Sequence, residues 1–444
     1  MPFFEPGMVS AKLKRLKNRH APPGSFKANV LTLMTGTAVA QMLLVVISPV
    51  LTRLFAPEAF GAFGVYLSLV SILGSLSTLR FDQAMMLPND VEVAAALFWA
   101  ALAAACLISG ISLVGCILFF RPILVLLKVR ELSGWIFLLP FSLFFFGTYS
   151  ALNTWSTRQK KFARSSISQV ARSLAISMVQ ILSGILKAGP AGLVGGAAAG
   201  DAFAAMTLGW QVERDDGRIL KRAFCWSKIK QAARQYREFP LFSSPQNFLN
   251  AVSQNVPLLL LAKFFGPAVA GFYVLGVRGI QIPMNFFLTS LRQAFFQKAS
   301  EVYNQGGDTH ALFRRTTLHL LAMVAIPALV VLLFGPEIFV FALGRKWLTA
   351  GVYARWLMLW LMLMFANVPA VLFAQIYRKQ KTVLQQDVGL LVFRVLAIVI
   401  GALRHSPILA IVLYSLVGVF INLYIIFWID RLLRREKGKP AWDY

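Results

Sequence analysis

Polar and charged side chains recur on single helical faces within segments that are otherwise strongly apolar. Residues three, four or seven positions apart lie on the same face of a helix. Five such faces are present: Arg278, Gln281, Asn285 and Arg292; Gln246, Asn250 and Gln254; Ser68, Ser71, Ser75 and Asp82; Gln169, Ser173, Ser177 and Gln180, with Arg172 adjacent; and Asp387 with Arg394. A charge at the centre of a membrane costs at least about 2.5 kcal/mol. We therefore expect these faces to line a shared hydrated cavity.

The residue types on these faces favour an anionic, sugar-bearing ligand. Arginine outnumbers aspartate, so the cavity should be net cationic, and a guanidinium group stays charged and binds phosphate oxygens through two parallel hydrogen bonds. Amide side chains can exchange hydrogen bonds with sugar hydroxyls. The predicted substrate-binding residues are Arg278, Arg172, Arg394, Arg292, Asn250, Gln254, Gln281 and Asn285.

The candidate cations within the spans are Arg80, Arg172, Arg278, Arg292, Arg355 and Arg394, and some of these charges have alternative roles. Arg80, Arg292 and Arg355 lie near the ends of apolar segments, where long side chains can reach the lipid headgroups instead. Asp82 and Asp387 are the candidates for a proton or sodium site that couples transport to an ion gradient. For Asp387 the alternative is a structural ion pair with Arg394, seven residues later.

Motifs for metal binding and covalent catalysis are absent from the sequence. Its three cysteines and four histidines are scattered without ligand spacing. It contains no P-loop, Gly-x-Ser-x-Gly or His-Glu-x-x-His pattern. We therefore predict no metal, no cofactor and no enzymatic reaction, and the chain carries no ATPase of its own.

Composition predicts an all-α polytopic membrane protein. Of the 444 residues, 58% are hydrophobic and only 14% are charged, and the mean hydropathy is +0.67. A soluble domain averages about 25% charged residues. Apolar runs of about 20 residues suit membrane-spanning helices. Twelve spans are predicted, at residues 28–52, 60–86, 93–119, 131–156, 165–187, 189–212, 241–265, 268–297, 315–334, 350–376, 383–403 and 406–429.

The net charge of +26 follows the predicted topology. Lysine and arginine concentrate on one side of the spans, in the segments 12–27, 158–164, 214–237, 298–315, 378–381 and 431–439. Cytoplasmic loops carry such an excess, so both termini are predicted to be cytoplasmic. The charge then sets orientation and contacts membrane lipids. Nucleic acid is not a predicted partner, because no nucleic-acid-binding motif is present.

Short motifs recur in the same order in the two halves of the chain. Phe55-Ala-Pro57-Glu-Ala-Phe-Gly61 returns as Phe265-Gly-Pro267-Ala-Val-Ala-Gly271, and Phe120-Arg-Pro122 returns as Phe334-Gly-Pro336. Arg158-Gln-Lys-Lys161 returns as Arg378-Lys-Gln-Lys381. Internal repeats of this kind are common in transporters. They predict two pseudo-symmetric six-helix lobes around a central cavity.

The predicted organisation has five parts. Residues 1–27 and 431–444 are basic cytoplasmic tails, and residues 28–212 and 241–430 are the two lobes. Residues 213–240 form a basic cytoplasmic linker between them. Apolar residues in this linker recur at roughly helical spacing, which is compatible with an amphipathic helix on the inner leaflet. A solvated linker without such a helix is the alternative.

Several segments together resemble bacterial polysaccharide and O-antigen flippases. Residues 49–61 (PVLTRLFAPEAFG) resemble their first loop, and residues 79–88 (LRFDQAMMLP) resemble the end of their second span, where Glu often stands in place of Asp82. Further similar segments are residues 157–162, 239–245, 278–283 and 293–301, together with the Gly-x-x-Trp element in 341–351. As a set they cover most of residues 30–380.

The resemblance implies a fold and a task. The flippases belong to the superfamily of multidrug, oligosaccharidyl-lipid and polysaccharide exporters, which have twelve helices in two lobes. Their members in polysaccharide assembly move an undecaprenyl-diphosphate-linked oligosaccharide across the bacterial inner membrane by alternating access. The product would pass to polysaccharide polymerase machinery.

Other functions fit less of the sequence. A cation-coupled drug antiporter of the same superfamily is the main alternative, although a cationic substrate would favour a surplus of carboxylates. A membrane-bound polymerase or glycosyltransferase would normally bring a large extracytoplasmic loop or an acidic catalytic cluster, and neither is present in the sequence. A scaffold for a glycan assembly complex that transports nothing is a third possibility.

Overall fold

A computed structural model describes residues 26–126, 134–377 and 379–435, and all regular structure in these ranges is helical. The predicted tails fall almost entirely outside them. The fifteen α-helices of the described residues are α1 (Phe26–Leu54), α2 (Pro57–Gly74), α3 (Phe81–Ala84), α4 (Val91–Leu126), α5 (Leu138–Arg158), α6 (Phe162–Ile185), α7 (Pro190–Ala223), α8 (Trp226–Gln235), α9 (Ser244–Phe265), α10 (Pro267–Asn304), α11 (Thr309–Leu343), α12 (Leu348–Ala366), α13 (Val368–Ile376), α14 (Gln380–Leu403) and α15 (Pro407–Arg435).

Each predicted span corresponds to one helix or to one interrupted helix. The second span is α2 followed by α3, and the tenth is α12 followed by α13. In the described residues, nine helical segments are long and apolar enough to cross a membrane. The spans outside those nine are α5, α6 and α10, which have 21, 24 and 38 residues. Because α6 and α10 carry the faces of Arg172 and Arg278, their polar residues lower the hydropathy. The chain is therefore an all-α, multi-span membrane protein.

Helix packing divides the bundle into two halves. In the first half α6 packs against α1 and α7, and α5 packs against α4 and α7. In the second half α12 packs against α10, α11 and α15, and α14 packs against α15. The halves meet mainly where α2 of the first contacts α9 and α10 of the second. This arrangement is the predicted pair of six-helix lobes.

Two glycines at matching positions of the repeat let α2 and α10 approach each other very closely. A Cβ atom on Gly61 would lie 1.7 Å from the carbonyl oxygen of Pro267, and one on Gly271 would lie 2.0 Å from that of Pro57. Each repeat therefore packs its glycine on the other repeat's proline, about a local two-fold axis. Both prolines lie at one end of the bundle, which we call the Pro57 end. Arg378 lies outside the described residues, so its equivalence with Arg158 stays a prediction.

The Gly-x-x-Trp element joins the lobes at the same end. The side chain of Trp347 is fully buried, and its indole N–H donates to the carbonyl oxygen of Thr52 at 3.0 Å. Its ring centroid lies 5.2 Å from that of Phe60 and 6.0 Å from that of Phe272. The ammonium of Lys346 donates to the carbonyl oxygen of Arg53 at 3.1 Å. The second lobe therefore inserts a loop between the end of α1 and the start of α2.

The predicted linker at 213–240 is largely helical and packs on the first lobe. Helix α7 continues through the first part of this linker to Ala223, and α8 begins three residues later, at Trp226. Ile229 and Ala232 of α8 are buried against α4, and the ammonium of Lys228 lies 2.8 Å from the carboxylate of Glu92. Ile229 and Ala232 thus pack on protein, whereas Trp226 at the start of α8 is exposed, and a contact of the linker with the inner leaflet stays a prediction. We call this end of the bundle, which also carries Arg158, the Arg158 end.

The glycine contact predicts the effect of a side chain at residue 61. Gly61→Val should force α2 and α10 apart, because the added Cβ meets backbone that cannot rotate away. Overpacking of this kind typically costs about 1–3 kcal/mol, so the melting temperature of the purified protein should fall. Gly110→Val is the matched control, because nothing lies within 4 Å of its Cβ position. Equal melting temperatures for the two variants would refute the close contact.

Candidate functional site

A polar cavity of about 480 Å³ lies between the two lobes, towards the Arg158 end. Its walls come from α2, α3 and the turn between them, from α5, α6 and α7, and from α9 of the second lobe. The lining residues are Leu67, Val70, Ser71, Gly74, Ser75, Ser77, Thr78, Arg80, Asp82, Phe146, Ser150, Arg172, Asp201, Asn247, Asn250, Ala251, Gln254 and Asn255. Four of the predicted site residues are among them: Asp82, Arg172, Asn250 and Gln254.

The second span is interrupted where it lines this cavity. Helix α2 ends at Gly74, a run of turns follows, and the single turn of α3 begins at Phe81. Leu79 and Arg80 have φ angles of 48° and 63°, in the left-handed region that side chains other than glycine rarely adopt. In a membrane, irregular backbone is tolerated where it is buried in protein or lines a water-filled cavity. Residues 75–82 are therefore a segment of irregular backbone in the cavity wall.

Asp82 is held at the cavity wall by two hydroxyl groups. Its carboxylate accepts hydrogen bonds from Thr78 Oγ1 at 2.8 Å and Ser150 Oγ at 2.7 Å, and the residue is 5% exposed. Thr78 lies one turn before Asp82, and Ser150 comes from α5. Each oxygen of the carboxylate therefore already accepts one hydrogen bond from the protein.

Arg172 of α6 forms an ion pair with Asp201 of α7 inside the cavity. The two groups are joined by Nη2 and Nε of the guanidinium, at 2.7 Å and 2.8 Å from the same carboxylate oxygen. The side chain of Arg172 is 42% exposed, whereas that of Asp201 is 9% exposed. The guanidinium thus keeps a face towards the cavity while the carboxylate lies in the wall.

The charge of the lining differs from the expected cationic surplus. Two arginines and two aspartates line the cavity, so their formal charges cancel. Arg172 and Asp201 neutralise each other directly. Because they lie on two different helices, the periodicity of a single helix could not predict this pairing. Arg80 and Asp82 are the remaining charges. The polarity of this cavity comes from hydroxyls, amides, the Arg172–Asp201 ion pair and two further charges that do not pair with each other.

Amide side chains of α9 form the wall on the second lobe. Asn247 Nδ2 donates to the carbonyl oxygen of Ser75 at 3.2 Å, and Asn255 Nδ2 donates to Ser71 Oγ at 3.1 Å. These bonds connect α9 directly to the end of α2. Gln254 and Asn250, also bonded to each other at 3.1 Å, are exposed to the cavity. The sequence prediction omitted Asn255, although it lies eight residues, or about two turns, after Asn247.

The predicted α10 face lies apart from this cavity. Arg278 is exposed, and its guanidinium carbon lies 5.9 Å from the centroid of the Phe63 ring on α2, nearer the Pro57 end. Gln281, Asn285 and Arg292 follow along α10, with Asn285 and Arg292 exposed. None of the four belongs to the cavity lining. On α9, Asn250 and Gln254 of the predicted face line the cavity and Gln246 does not, whereas for α10 periodicity did not reveal which neighbour that face meets.

Arg394 belongs to the packing of the second lobe. Its guanidinium carbon lies 4.1 Å from the ring centroid of Trp360 and 4.3 Å from that of Tyr414. Asp387 is exposed on the same helix, and within the described ranges no ion pair joins it to Arg394. Neither residue lines the cavity. The two aromatic rings therefore take the place of the carboxylate that was considered as its partner.

Comparison with known proteins gives one family and several similar folds. The sequence model of a family described as "Polysaccharide biosynthesis protein" matches residues 50–352. No curated protein sequence matches the chain significantly.

Solved structures similar to this chain include transporters and a flippase. An inward-facing multidrug resistance MATE family transporter of the MOP superfamily is 13% identical, with 91% of this chain and 96% of that chain covered and a TM-score of 0.66. The lipid II flippase MurJ in an inward closed conformation is 11% identical, with 90% and 87% covered and a TM-score of 0.65. A MOP superfamily transporter from Pyrococcus furiosus is 13% identical, with 93% and 97% covered and a TM-score of 0.57. These likenesses establish the fold.

The aromatic contacts of Arg394 predict a structural role. Arg394→Ala should lower the melting temperature and the amount of protein in the membrane, because cation–π contacts contribute about 0.5–2 kcal/mol and the guanidinium fills the space between two rings. Arg404→Ala, at the exposed end of the same helix, is the control and should change neither. A stable Arg394→Ala protein that has lost its transport activity would instead assign Arg394 to ligand binding.

Proposed function

This chain belongs to the polysaccharide biosynthesis protein family, and from that premise we propose that it is a flippase for lipid-linked oligosaccharide. The substrate would be an undecaprenyl-diphosphate-linked oligosaccharide, moved across the bacterial inner membrane for cell-surface polysaccharide or lipopolysaccharide assembly. The observation that carries the proposal is the cavity of about 480 Å³ lined by hydroxyls, amides and guanidinium groups inside a membrane-spanning bundle.

The polar head group is the part of the substrate that makes transfer across the membrane difficult. A diphosphate with attached sugars cannot cross hydrocarbon, because each buried charge or unpaired hydroxyl costs several kcal/mol. A polar cavity replaces the lost hydration, while the prenyl tail stays in the lipid. The cavity volume falls within the range of about 300–1,000 Å³ typical of small-ligand sites. It suits the diphosphate and the first sugars, with further sugars extending into the solvent. No covalent bond changes, so the protein is not an enzyme in the chemical sense.

Alternating access would use the two ends of the bundle in turn. The Arg158 end carries the basic segments and is assigned to the cytoplasm, together with both termini. The Pro57 end would then face outward, where the Gly61–Gly271 and Trp347–Thr52 contacts hold the lobes together. Opening that end requires α2 to separate from α10 and the indole to leave Thr52. The cytoplasmic leaflet would be the side of loading.

The proposal gives the polar residues distinct places along the route. Arg172, Asn250 and Gln254 would contact the head group in the cavity. Arg278 would receive the diphosphate nearer the Pro57 end, and Gln281, Asn285 and Arg292 would extend that face along α10. Asp82 is the candidate for a proton or sodium site in the cavity, and Asp387 is the second candidate, in the other lobe. Released substrate would pass to polysaccharide polymerase machinery.

Deletion of the gene tests the function directly. The deletion strain should accumulate one lipid-linked oligosaccharide on the cytoplasmic leaflet and lose the corresponding surface polysaccharide, and plasmid-borne protein should reverse both. Mass spectrometry of extracted lipids identifies the glycan. A strain with normal lipid-linked intermediates that fails to export cationic dyes would favour the drug antiporter. Normal export in cells carrying a cavity-disrupted protein would favour the scaffold.

Arg278 supplies a test of the route. Arg278→Ala should abolish export while the protein remains in the membrane, since one charge-assisted contact is worth about 1.5–3 kcal/mol, or roughly 10- to 150-fold in head-group affinity. Arg278→Lys should recover part of the activity, because an ammonium lacks the two-pronged donor geometry. Arg404→Ala is again the control. Full export by a well-expressed Arg278→Ala protein would exclude this residue from the route.

Cys225 reports the orientation of the protein. It is exposed in the loop between α7 and α8, and backbone N–H groups of Lys228 and Ser227 hold the pKa of its thiol below the usual range. The thiolate reacts with maleimides, so a membrane-impermeant maleimide should label Cys225 in inside-out vesicles. Intact spheroplasts should show no labelling at this site. A Cys225→Ser protein measures the background from Cys106 and Cys116, and labelling of Cys225 from outside would reverse the assigned topology.

A further inference from the structure

We propose that the interrupted part of the second span, residues 75–82, is an anion-binding subsite at the cytoplasmic side of the cavity and that Arg80 is its principal cation. The ligand class is a diphosphate or phosphate monoester group on a lipid-linked head. This inference rests on the proposed function and deepens it. The sequence left Arg80 open between a cation of the cavity and a side chain that reaches the lipid headgroups.

Arg80 is the cation of the cavity that has no carboxylate partner. Arg172 already binds Asp201 through two nitrogens. Asp82 is satisfied by Thr78 and Ser150, and no ion pair between Asp82 and Arg80 is present in the part of the chain that the structure describes. The guanidinium of Arg80 is thus available to a ligand without first being released from a protein anion.

The hydroxyl groups around Arg80 already donate hydrogen bonds to other groups of the protein. Ser75 Oγ donates to the carbonyl oxygen of Ile72 at 2.6 Å, and Ser77 Oγ donates to that of Gly74 at 2.7 Å. Thr78 donates to Asp82. The guanidinium of Arg80 is different, because its Nε is buried and has no hydrogen-bond partner among the described residues. Buried donors without a partner are uncommon in folded proteins, so this one indicates that the guanidinium has hydrogen-bonding capacity that the described residues leave unused.

The backbone is strained at two successive residues, of which Arg80 is the second. Two successive residues other than glycine, Leu79 and Arg80, adopt positive φ angles, whereas glycine would adopt them without steric conflict. Strain of this type concentrates at ligand-binding sites, where the surrounding structure maintains it. Here the serine and threonine hydrogen bonds and the Asn247–Ser75 contact maintain it. The result is that Arg80 leaves the helical path and lines the cavity.

The position of the subsite fits loading from the cytoplasmic leaflet. Gly74 is the last residue of α2, which begins at Pro57, so the interruption lies at the far end of that helix from the closed Pro57 end. Arg278 is paired with Phe63, near the start of α2. The two arginines are therefore separated along the membrane normal. Arg80 would engage the head group first, and Arg278, on α10 beside Phe63 of α2, would engage it later.

The experiment measures binding by the purified full-length protein in detergent. Undecaprenyl diphosphate is the probe, with inorganic diphosphate and dioleoylphosphatidylglycerol as separate arms. Arg80→Asn removes the charge and keeps a residue that tolerates the left-handed conformation, and Arg80→Gly is a second uncharged variant with no backbone strain. The matched control is Arg355→Asn, because Arg355 also has a buried Nε without a partner among the described residues but lies against α11 of the second lobe.

The expected result is specific to Arg80. Both uncharged variants should bind undecaprenyl diphosphate about 10- to 100-fold more weakly than wild type, the loss typical of one charge-assisted contact, with melting temperatures equal to or above wild type. Arg80→Lys should be intermediate, and Arg355→Asn should bind like wild type. Competition by inorganic diphosphate identifies the diphosphate as the recognised group. Equal competition by phosphatidylglycerol would show that the subsite binds ordinary lipid headgroups and would overturn the assignment.

Failure of this inference and failure of the proposed function give different results. A wild-type protein that does not bind undecaprenyl diphosphate contradicts the proposed function itself. A wild-type protein that binds it, together with Arg80→Asn and Arg80→Gly proteins that bind equally well, contradicts the subsite alone. A loss of binding in Arg355→Asn as large as in the Arg80 variants would make the effect a general consequence of removing arginine, which also rejects the subsite.

Discussion

The reciprocal contact between Pro57, Gly61, Pro267 and Gly271 is the constraint on which the arrangement of the lobes depends. Each glycine faces a carbonyl oxygen of the other repeat at a distance that leaves no room for a Cβ atom. Small residues allow helices to pack this closely. Close packing matters in a membrane because the hydrophobic effect does not drive helices together there. Because α2 and α10 meet at one end, the lobes can diverge only towards the other end. The cavity lies in that divergent space.

The second span combines two opposite properties in a single polypeptide segment. Its first part, α2, is tightly packed and largely buried, with eleven buried residues among eighteen. Its last part is interrupted, strained and lined with polar groups that face the cavity. A rigid contact at one end fixes the position of the irregular segment at the other. Movement of α2 relative to α10 would therefore displace the wall of the cavity as well as the closed contact, which connects ligand binding with opening.

The sequence predicted helices better than it predicted neighbours. Span number and the repeat followed from hydropathy and motif order. Asp82, Arg172, Asn250 and Gln254 line the cavity, but Asp82 does so from beyond the interruption of its span and not from the continuous helical face that the sequence predicted. The binding roles of these residues stay a prediction. Periodicity within a helix says which residues share a face, but not what that face meets. The partner of Arg172 is 29 residues away on the next helix, and the rings around Arg394 come from two other helices. The place of Arg80 in the cavity depends on the left-handed backbone of Leu79 and Arg80. Neither residue is a glycine, so nothing in the sequence indicated that conformation.

The equal number of arginines and aspartates in the cavity lining lowers the free-energy cost of the empty cavity. An empty cavity with unpaired arginines would hold net charge in a low-dielectric region, and removing one partner of a buried pair leaves a costly uncompensated charge. The Arg172–Asp201 pair avoids that cost when no ligand is bound. An anionic head group would then have to compete with Asp201 for the same guanidinium, so its affinity at this point would be moderate. Moderate affinity favours release on the far side, because a ligand held too tightly by both conformations would not be transferred. The proposed function therefore needs paired and unpaired arginines together, the first for reversible exchange and the second for capture.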